Sequence, residues 1–261
     1  MRTPQEESII DPESVSVIEH PVKCFGLLLV AHLQVEFRDM IMAKGKITGV
    51  TASLSPVAIV EGVALGYSKQ HARMVELLDA LDRPLTTLIR PGDKVFVKPY
   101  LRNGSNDSPE SLQVSQPGVI RALLEIIKDC GASVAFGDEG SPNPWSDQPH
   151  PGRFWLYELA RRTGCELVNF AASGGVFKEG TCAPYRYLIS RALTDADAVI
   201  NLAHFQFHPK FVINGCIKNT FNAVLGKQQE HLERLFRSTK RISKRVVDVH
   251  AIVRPSLSIL I

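Results

Sequence analysis

The segment from His204 to Asn219 holds the densest group of reactive side chains in the sequence. It reads HFQFHPKFVINGCIKN and sets two histidines and two lysines among phenylalanines. Histidine can bind a metal or exchange a proton near neutral pH, and a lysine in an apolar pocket can act as a nucleophile. Polar groups in an apolar wall are typical of a ligand pocket, so we expect His208 and Lys218 to be catalytic. Alternatively, strand alternation alone places His204, Gln206 and His208 on a solvated face.

Further candidates lie where predicted strands end. Lys98 ends the strand VFVK, Asp138 follows the strand SVAF, and His204 follows the strand AVINLA. In open parallel sheets, ligands bind in the crevice beyond the carboxyl ends of the strands. If these strands are parallel, their reactive groups meet at one edge, where we expect Lys98, Asp138 and Asn219 to bind a cofactor. Taken singly, a strand-end lysine or aspartate is more often a solvated or capping group.

The elements that would position these residues alternate between strand and helix from Val57 onward. This alternation predicts an α/β fold with an open, mostly parallel sheet and helices on both faces. We assign residues 56–261 to this α/β domain and residues 1–55, which show no alternation, to a partly disordered N-terminal appendage. The glycine-rich segment ASGGVFKEGTCAPYRYLIS predicts an inserted hairpin.

Three local predictions follow from the pattern. Ser115 is placed to cap the helix that Pro117 opens, and the chain after Asn219 is predicted to be helical through about Arg245. The terminal residues SLSILI predict a strand that stops at the chain end, which indicates a truncated protein.

Composition limits the class of protein. A formal net charge of +3 over 261 residues argues against nucleic acid or an anionic membrane as a partner. The five cysteines are widely spaced and form no C-x-x-C pair, so the chain has no iron-sulfur motif and suits a reducing compartment. The acidic, polar N-terminus predicts a cytoplasmic protein. The apolar run Cys24–Ala31 is too short to cross a bilayer and predicts a buried strand or helix.

Two features beyond Asn219 have competing interpretations. His231 could fold back to the site and bind a metal together with His204, or it could be an ordinary surface histidine. The segment Arg234–Arg245, RLFRSTKRISKR, has six basic residues in twelve. It could bind phosphates or an acidic partner. A solvated helical face is the alternative, because aromatic residues for base stacking are nearly absent.

The motifs VAIVEG, PGDKVFVKPYL, VSQPGVIRALLEIIKDCGASVAFGDEGS, DADAVINLAHFQFH and INGCIKNTF follow one another in this order. Together they resemble the domain of unknown function 362 family, from Val57 to the C-terminus, and the IKN element after a histidine is the most specific of them. That family has no general assigned reaction. Because some members carry iron-sulfur modules, the resemblance implies a redox role and a separate iron-sulfur or electron-transfer protein as partner.

The sequence departs from that family's pattern at three positions. Tyr100 replaces the asparagine of the usual KPN, Gln206 replaces a lysine, and Asn222 replaces the glycine that usually follows KN. These departures leave an altered site, or an inactive truncated relative, as an alternative.

The spacing of His208, Lys218 and His231 is also similar to that in the lactate racemase family. This likeness implies that His208 is an acid and base toward the substrate, that Lys218 anchors a nickel-pincer cofactor, and that His231 binds nickel. Our leading hypothesis is a protein that binds a small ligand or cofactor at the strand edge, with a redox or proton-transfer reaction. A non-catalytic binding protein that uses Arg234–Arg245 is the alternative.

Overall fold

A computed structural model describes residues 27–33, 57–62, 66–81, 84–101, 114–139, 154–182, 185–209, 211–235 and 238–261. The strands in these ranges are β1 Leu27–Leu33, β2 Val57–Gly62, β3 Lys94–Pro99, β4 Ser133–Asp138, β5 Glu166–Asn169, β6 Gly175–Glu179, β7 Arg186–Ser190, β8 Ala198–Ala203, β9 Gln206–His208, β10 Val212–Asn214 and β11 Leu257–Leu260. The α-helices are α1 Tyr67–Asp79, α2 Pro117–Asp129, α3 Phe154–Thr163, α4 Arg191–Thr194, α5 Cys216–Asn219, α6 Lys227–Leu235 and α7 Thr239–Val253.

Seven strands form one sheet in the order β2-β1-β11-β8-β3-β4-β5. The five strands from β11 to β5 are parallel, whereas β1 and β2 pair antiparallel at one side. Strand β8 is buried along its whole length. A strand covered on both faces is typically apolar, and Asn201 is the one polar residue of β8. The predicted α/β fold with an open, mostly parallel sheet is therefore confirmed.

Helices α1, α2 and α3 pack on one face of the sheet. The apolar side of α1 is buried there, with Met74 and Leu77 fully inaccessible. On the other face, α6, α7 and the hairpin β6–β7 enclose a second cluster that includes Tyr187, Phe221 and Val249. The predicted hairpin is thus present, and it helps to cover the sheet.

Asp248 on α7 fastens the tip of this hairpin. Its side chain is fully buried and accepts hydrogen bonds from the hydroxyl of Tyr187 at 3.0 Å and the backbone N–H groups of Thr181 at 2.9 Å and Cys182 at 2.6 Å. Burial raises the pKa of the Tyr187 phenol, so it stays a donor. A Cβ at Gly180 would lie 2.6 Å from an Asp248 carboxylate oxygen, so only glycine fits there.

The segment predicted to be helical from Asn219 to about Arg245 is mostly helical, but it is not one continuous helix. After α5 the chain forms a 3-10 helix, Thr220–Ala223, and Val224 then makes a β-bridge to Ile189 of β7. Gly226 has a φ of +51°, and α6 and α7 follow as separate helices. Tertiary pairing with β7 interrupts the segment although its residues favour a helix.

Ser115 does not cap α2, because Gln116 is the N-cap residue and no side chain makes a capping bond. Instead, the Ser115 hydroxyl accepts a hydrogen bond from the backbone N–H of Tyr100 at 2.9 Å and donates one to the carbonyl of Leu202 at 3.3 Å. This buried serine therefore joins the residue that follows β3 to the end of β8 at the carboxyl edge of the sheet.

Strand β1 confirms the strand alternative for the apolar run after Cys24. In the sheet, β1 lies between β2 and β11, although its residues belong to the segment 1–55 that was predicted to be an appendage. The domain boundary after residue 55 stays a prediction. Within the described ranges, no helix is long and apolar enough to cross a membrane. The cytoplasmic location also stays a prediction.

Replacing Asp248 by alanine should destabilise the protein by about 3 kcal/mol or more, because each buried donor left without an acceptor costs roughly 1–3 kcal/mol. Urea unfolding followed by far-UV circular dichroism measures this free energy of unfolding. Asp129→Ala, at an exposed position of α2, is the control and should change it by less than about 0.5 kcal/mol. Equal effects of the two substitutions would contradict the anchoring role of Asp248.

Candidate functional site

A buried ion pair lies where β3 and β4 end. Lys98 and Asp138 come from adjacent parallel strands, and the Lys98 Nζ lies 3.0 Å from the Asp138 Oδ2, with both side chains fully inaccessible to solvent. Burial lowers the pKa of Lys98, and the Asp138 carboxylate opposes that effect. The desolvation penalty of a buried ion pair often exceeds the attraction between its charges. Stability alone is therefore a poor explanation for this pair.

Asn219 of α5 completes the cluster. Its Oδ1 accepts a hydrogen bond from the Lys98 Nζ at 3.1 Å, and its Nδ2 donates to the Asn201 Oδ1 at 2.7 Å. Asn201 in turn donates to the carbonyl of Cys216 at 2.9 Å and the hydroxyl of Ser258 at 3.2 Å. The structure thus brings the three predicted cofactor-binding residues together, with Lys98 in contact with both Asp138 and Asn219.

Glu139 follows Asp138 at the same edge. Its backbone N–H donates to the Asp138 Oδ1 at 2.8 Å. The Oε1 of Glu139 accepts a hydrogen bond from the backbone N–H of Gly226, just before α6, at 3.3 Å. Its Oε2 is buried and has no hydrogen-bond partner among the described residues. Burial raises the pKa of the Glu139 carboxyl above its usual value.

The aromatic ring of Phe211 links the two predicted catalytic residues. The His208 Nδ1 accepts a hydrogen bond from the backbone N–H of Phe211 at 3.3 Å, and the two rings lie 5.0 Å apart. The Lys218 Nζ lies 5.6 Å from the centre of the Phe211 ring and 5.3 Å from that of Phe221. The rings of Phe211 and Phe221 form an aromatic wall beside Lys218. Because Lys218 directly precedes Asn219 on α5, this aromatic wall adjoins the buried cluster of Lys98, Asp138 and Asn219.

Among the described residues, His204 and His231 belong to no group of side chains that could hold a metal ion. His204 follows β8, and its ring stacks on Tyr100 at a centroid distance of 6.4 Å and an interplanar angle of 14°. His231 lies on α6 with an exposed side chain. In the described parts of the chain, no group of three or more His, Cys, Asp or Glu side chains could hold a metal ion. The metal site stays a prediction without a complete ligand set.

The three departures from the family pattern occupy different environments. The ring of Tyr100 stacks on the ring of His204, a predicted site residue. Gln206 is half-buried on β9. Asn222 is almost fully buried, and its Oδ1 accepts a hydrogen bond from the Gln229 Nε2 at 3.2 Å. Asn222 therefore holds α6 in place, and Tyr100 is the departure that changes the surroundings of a predicted site residue.

The basic segment Arg234–Arg245 is divided between two helices. On α7, Lys240, Arg241 and Lys244 are exposed, and the guanidinium of Arg245 lies 5.3 Å from the ring of Tyr185. The role of Lys240, Arg241 and Lys244 in recognising an acidic partner stays a prediction.

Sequence reasoning missed Glu139, Asn201 and Phe170. Glu139 stands next to Asp138, so the strand-end argument applied to it equally. Asn201 interrupts the apolar strand AVINLA, and a polar residue inside a buried strand must find partners. Phe170 follows β5, and its ring centre lies 5.9 Å from the Lys98 Nζ. No local pattern indicated that contact.

A separate cavity of about 190 Å³ lies at the opposite end of the strands and is lined by residues that include Lys178, Asp197, Arg254 and Ser256. Asp197 directly precedes β8, and Ser256 directly precedes β11. The cavity therefore lies far from the carboxyl edge that holds the reactive cluster.

Lys98→Met should destabilise the protein by about 3–5 kcal/mol, because it leaves the Asp138 carboxylate buried without its cation. The double variant Lys98→Met/Asp138→Asn should recover most of that loss, since it removes both charges. Urea unfolding of the two variants and of Asp138→Asn alone measures the coupling. A double variant as unstable as the sum of the single variants would contradict direct pairing.

Comparison with known proteins shows that the carboxyl edge of the sheet is part of a known protein domain. A family model described as Domain of unknown function (DUF362) matches residues 95–261, which include the whole cluster. The thylakoid-associated protein sll1697 of Synechocystis is 27% identical over 174 residues, which span 66% of this chain. The aligned region is 52% of that relative, so the chain spans about half the length of the curated relative it matches. Because the family model covers more than half of it, this chain belongs to the DUF362 family.

Proposed function

We propose that this chain binds a small ligand at the carboxyl edge of its parallel strands. The observation that carries the proposal is the wholly buried Lys98–Asp138 ion pair, which Asn219 supports from α5. Perturbed, paired ionisable groups cluster at functional sites. The strand edge of an open parallel sheet is also where such proteins bind ligands.

The aromatic wall beside this cluster supplies complementary chemistry. Lys218 keeps a cation over two aromatic rings, where it can attract an anionic group such as a carboxylate or phosphate. The Nδ1 of His208 accepts a backbone hydrogen bond, so its neutral ring carries the proton on Nε2. A ligand in contact with both residues would meet a cation and a proton donor, and Phe211 would pack against its apolar part.

The finer proposal is a proton-transfer enzyme with His208 as the acid and base. Histidine suits this role because its pKa lies near neutral pH. A redox reaction with a separate iron-sulfur or electron-transfer protein is the other reaction class that the family's other members suggest. Proton transfer is supported by the types of the groups nearby, because His208 and Lys218 share contacts with Phe211 and Glu139 follows Asp138.

The nickel-pincer cofactor implied by the likeness to lactate racemases does not fit the described residues well. His231, which would bind the nickel, is exposed on α6, and the described ranges hold no group of three suitable ligands. We derive no catalytic step from that cofactor. Lys218 remains a candidate anchor for an anionic ligand without it.

Replacing His208 or Lys218 by alanine should weaken binding of the small molecule that co-purifies with the wild-type protein. The expected loss of affinity is at least tenfold, a change of about 1.4 kcal/mol. Native mass spectrometry of the protein, purified without oxygen, measures the non-protein mass that stays bound, and elemental analysis shows whether it contains a metal. Lys244→Ala, at an exposed position of α7, is the matched control and should retain the molecule.

Circular dichroism should be unchanged in all three variants, because His208 and Lys218 are only half-buried. If both site variants hold the same molecule as the wild type with the same occupancy, these residues do not bind it. The assignment of His208 and Lys218 to the ligand site would then be wrong.

A further inference from the structure

The carboxylate of Glu139 takes no part in the Lys98–Asp138 ion pair, although it lies at the same edge. Its Oε1 is held by the backbone N–H of Gly226 at 3.3 Å. Its Oε2 is buried and lacks a hydrogen-bond partner among the described residues. Buried polar atoms almost always have partners, so an acceptor left in this state needs an explanation.

The backbone around Glu139 fixes the direction of its side chain. Its N–H donates to the Asp138 Oδ1 at 2.8 Å, and its carbonyl accepts a hydrogen bond from the Asn169 Nδ2 at 3.5 Å. Gly226 then holds one carboxylate oxygen from the start of α6. Glu139 is therefore held at three points: its backbone N–H by Asp138, its carbonyl by Asn169 of β5, and its carboxylate by Gly226, just before α6. This restraint leaves Oε2 as a fixed acceptor.

We propose that Glu139 recognises the ligand, with its Oε2 accepting a hydrogen bond from an N–H or O–H group that the ligand brings. This inference rests on the proposed ligand site and names the class of ligand: a small molecule with a hydroxyl, imide or amine donor. An ionised acceptor makes a stronger hydrogen bond than a neutral one. A molecule whose donor is blocked by a methyl group would leave Oε2 unpaired and would bind more weakly.

The surroundings of Glu139 make this recognition depend on pH. Burial raises the pKa of Glu139, and the Asp138 carboxylate acts in the same direction, whereas the Gly226 N–H and the Lys98 ammonium oppose it. A donor bound to Oε2 favours the ionised carboxylate. Affinity for the donor should therefore be present above the pKa of Glu139 and decrease as the pH falls through it.

The same shift has a consequence for stability. Because the folded protein holds the pKa of Glu139 above its unfolded value, the ionised carboxyl is less favourable in the folded state than in the unfolded one. Stability is thus greatest when Glu139 is protonated and decreases as the pH rises through the folded pKa. Glu139→Gln should accordingly raise the melting temperature at neutral pH.

The test uses two matched pairs of probes with the full chain: succinimide with N-methylsuccinimide, and phenol with anisole. Titration by NMR follows the backbone amides of Gly226, Lys218 and Asn219. In the wild type, the donor-bearing probe of each pair should bind about tenfold more tightly at neutral pH, with a shift of the Gly226 amide. This preference should decrease at acidic pH.

Two variants separate the acceptor from the charge. Glu139→Gln keeps an acceptor, so the preference should be reduced and no longer depend on pH. Glu139→Met removes the acceptor, so both members of a pair should bind equally. Glu166→Gln, at an exposed position at the opposite end of β5, is the control and should behave like the wild type.

Three outcomes would overturn the inference. A preference that persists in Glu139→Met would assign recognition to another group. Equal binding of both members of each pair in the wild type, with shifts at Lys218 and Asn219, would leave the ligand site in place but remove Glu139 from it. A titration without shifts at any of these amides would contradict both the recognition by Glu139 and the proposed site.

Discussion

The arrangement of the carboxyl edge depends on the ion pair between Lys98 and Asp138. It joins two neighbouring strands at the point where they leave the sheet, and Asn219 connects it to α5. Glu139, which follows Asp138, connects the same edge of the sheet to Gly226, just before α6. Elements distant in sequence are thus held together by one small polar cluster, which has no access to solvent.

The position of this cluster follows from the chemistry of the sheet. The inner strands are apolar because helices or the hairpin cover both of their faces. A charged group is tolerated at a strand end only if a partner of opposite charge and further hydrogen bonds satisfy it. Asn201 and Ser258 extend these bonds into the neighbouring strands. Such a network costs desolvation energy, and the proposed ligand site would account for its presence.

Much of this architecture could be predicted from the sequence. The alternation of strands and helices predicted the parallel sheet, and the rule for strand ends selected Lys98 and Asp138 before their contact was known. The position of β1 between β2 and β11 could not be predicted, because strand order depends on pairings between residues far apart in the chain. The break near Gly226 depends likewise on a bridge from Val224 to β7.

The side-chain geometry was the least predictable part. The types of His204 and His231 suggested a shared metal, but the fold places His204 against Tyr100 and exposes His231 on α6. Residue type indicates what a side chain can do, whereas tertiary packing decides what it meets. Glu139 illustrates the converse, since its place at a strand end could be predicted but the lack of a partner for its Oε2 depends on tertiary packing.

The most direct test of the account is a crystal structure of the protein with the molecule that it retains on purification. The account predicts non-protein electron density at the carboxyl edge, in contact with Lys218 and within hydrogen-bonding distance of the Glu139 Oε2. Density in the cavity lined by Lys178 and Arg254 at the opposite end of the strands, with the carboxyl edge unoccupied, would contradict it.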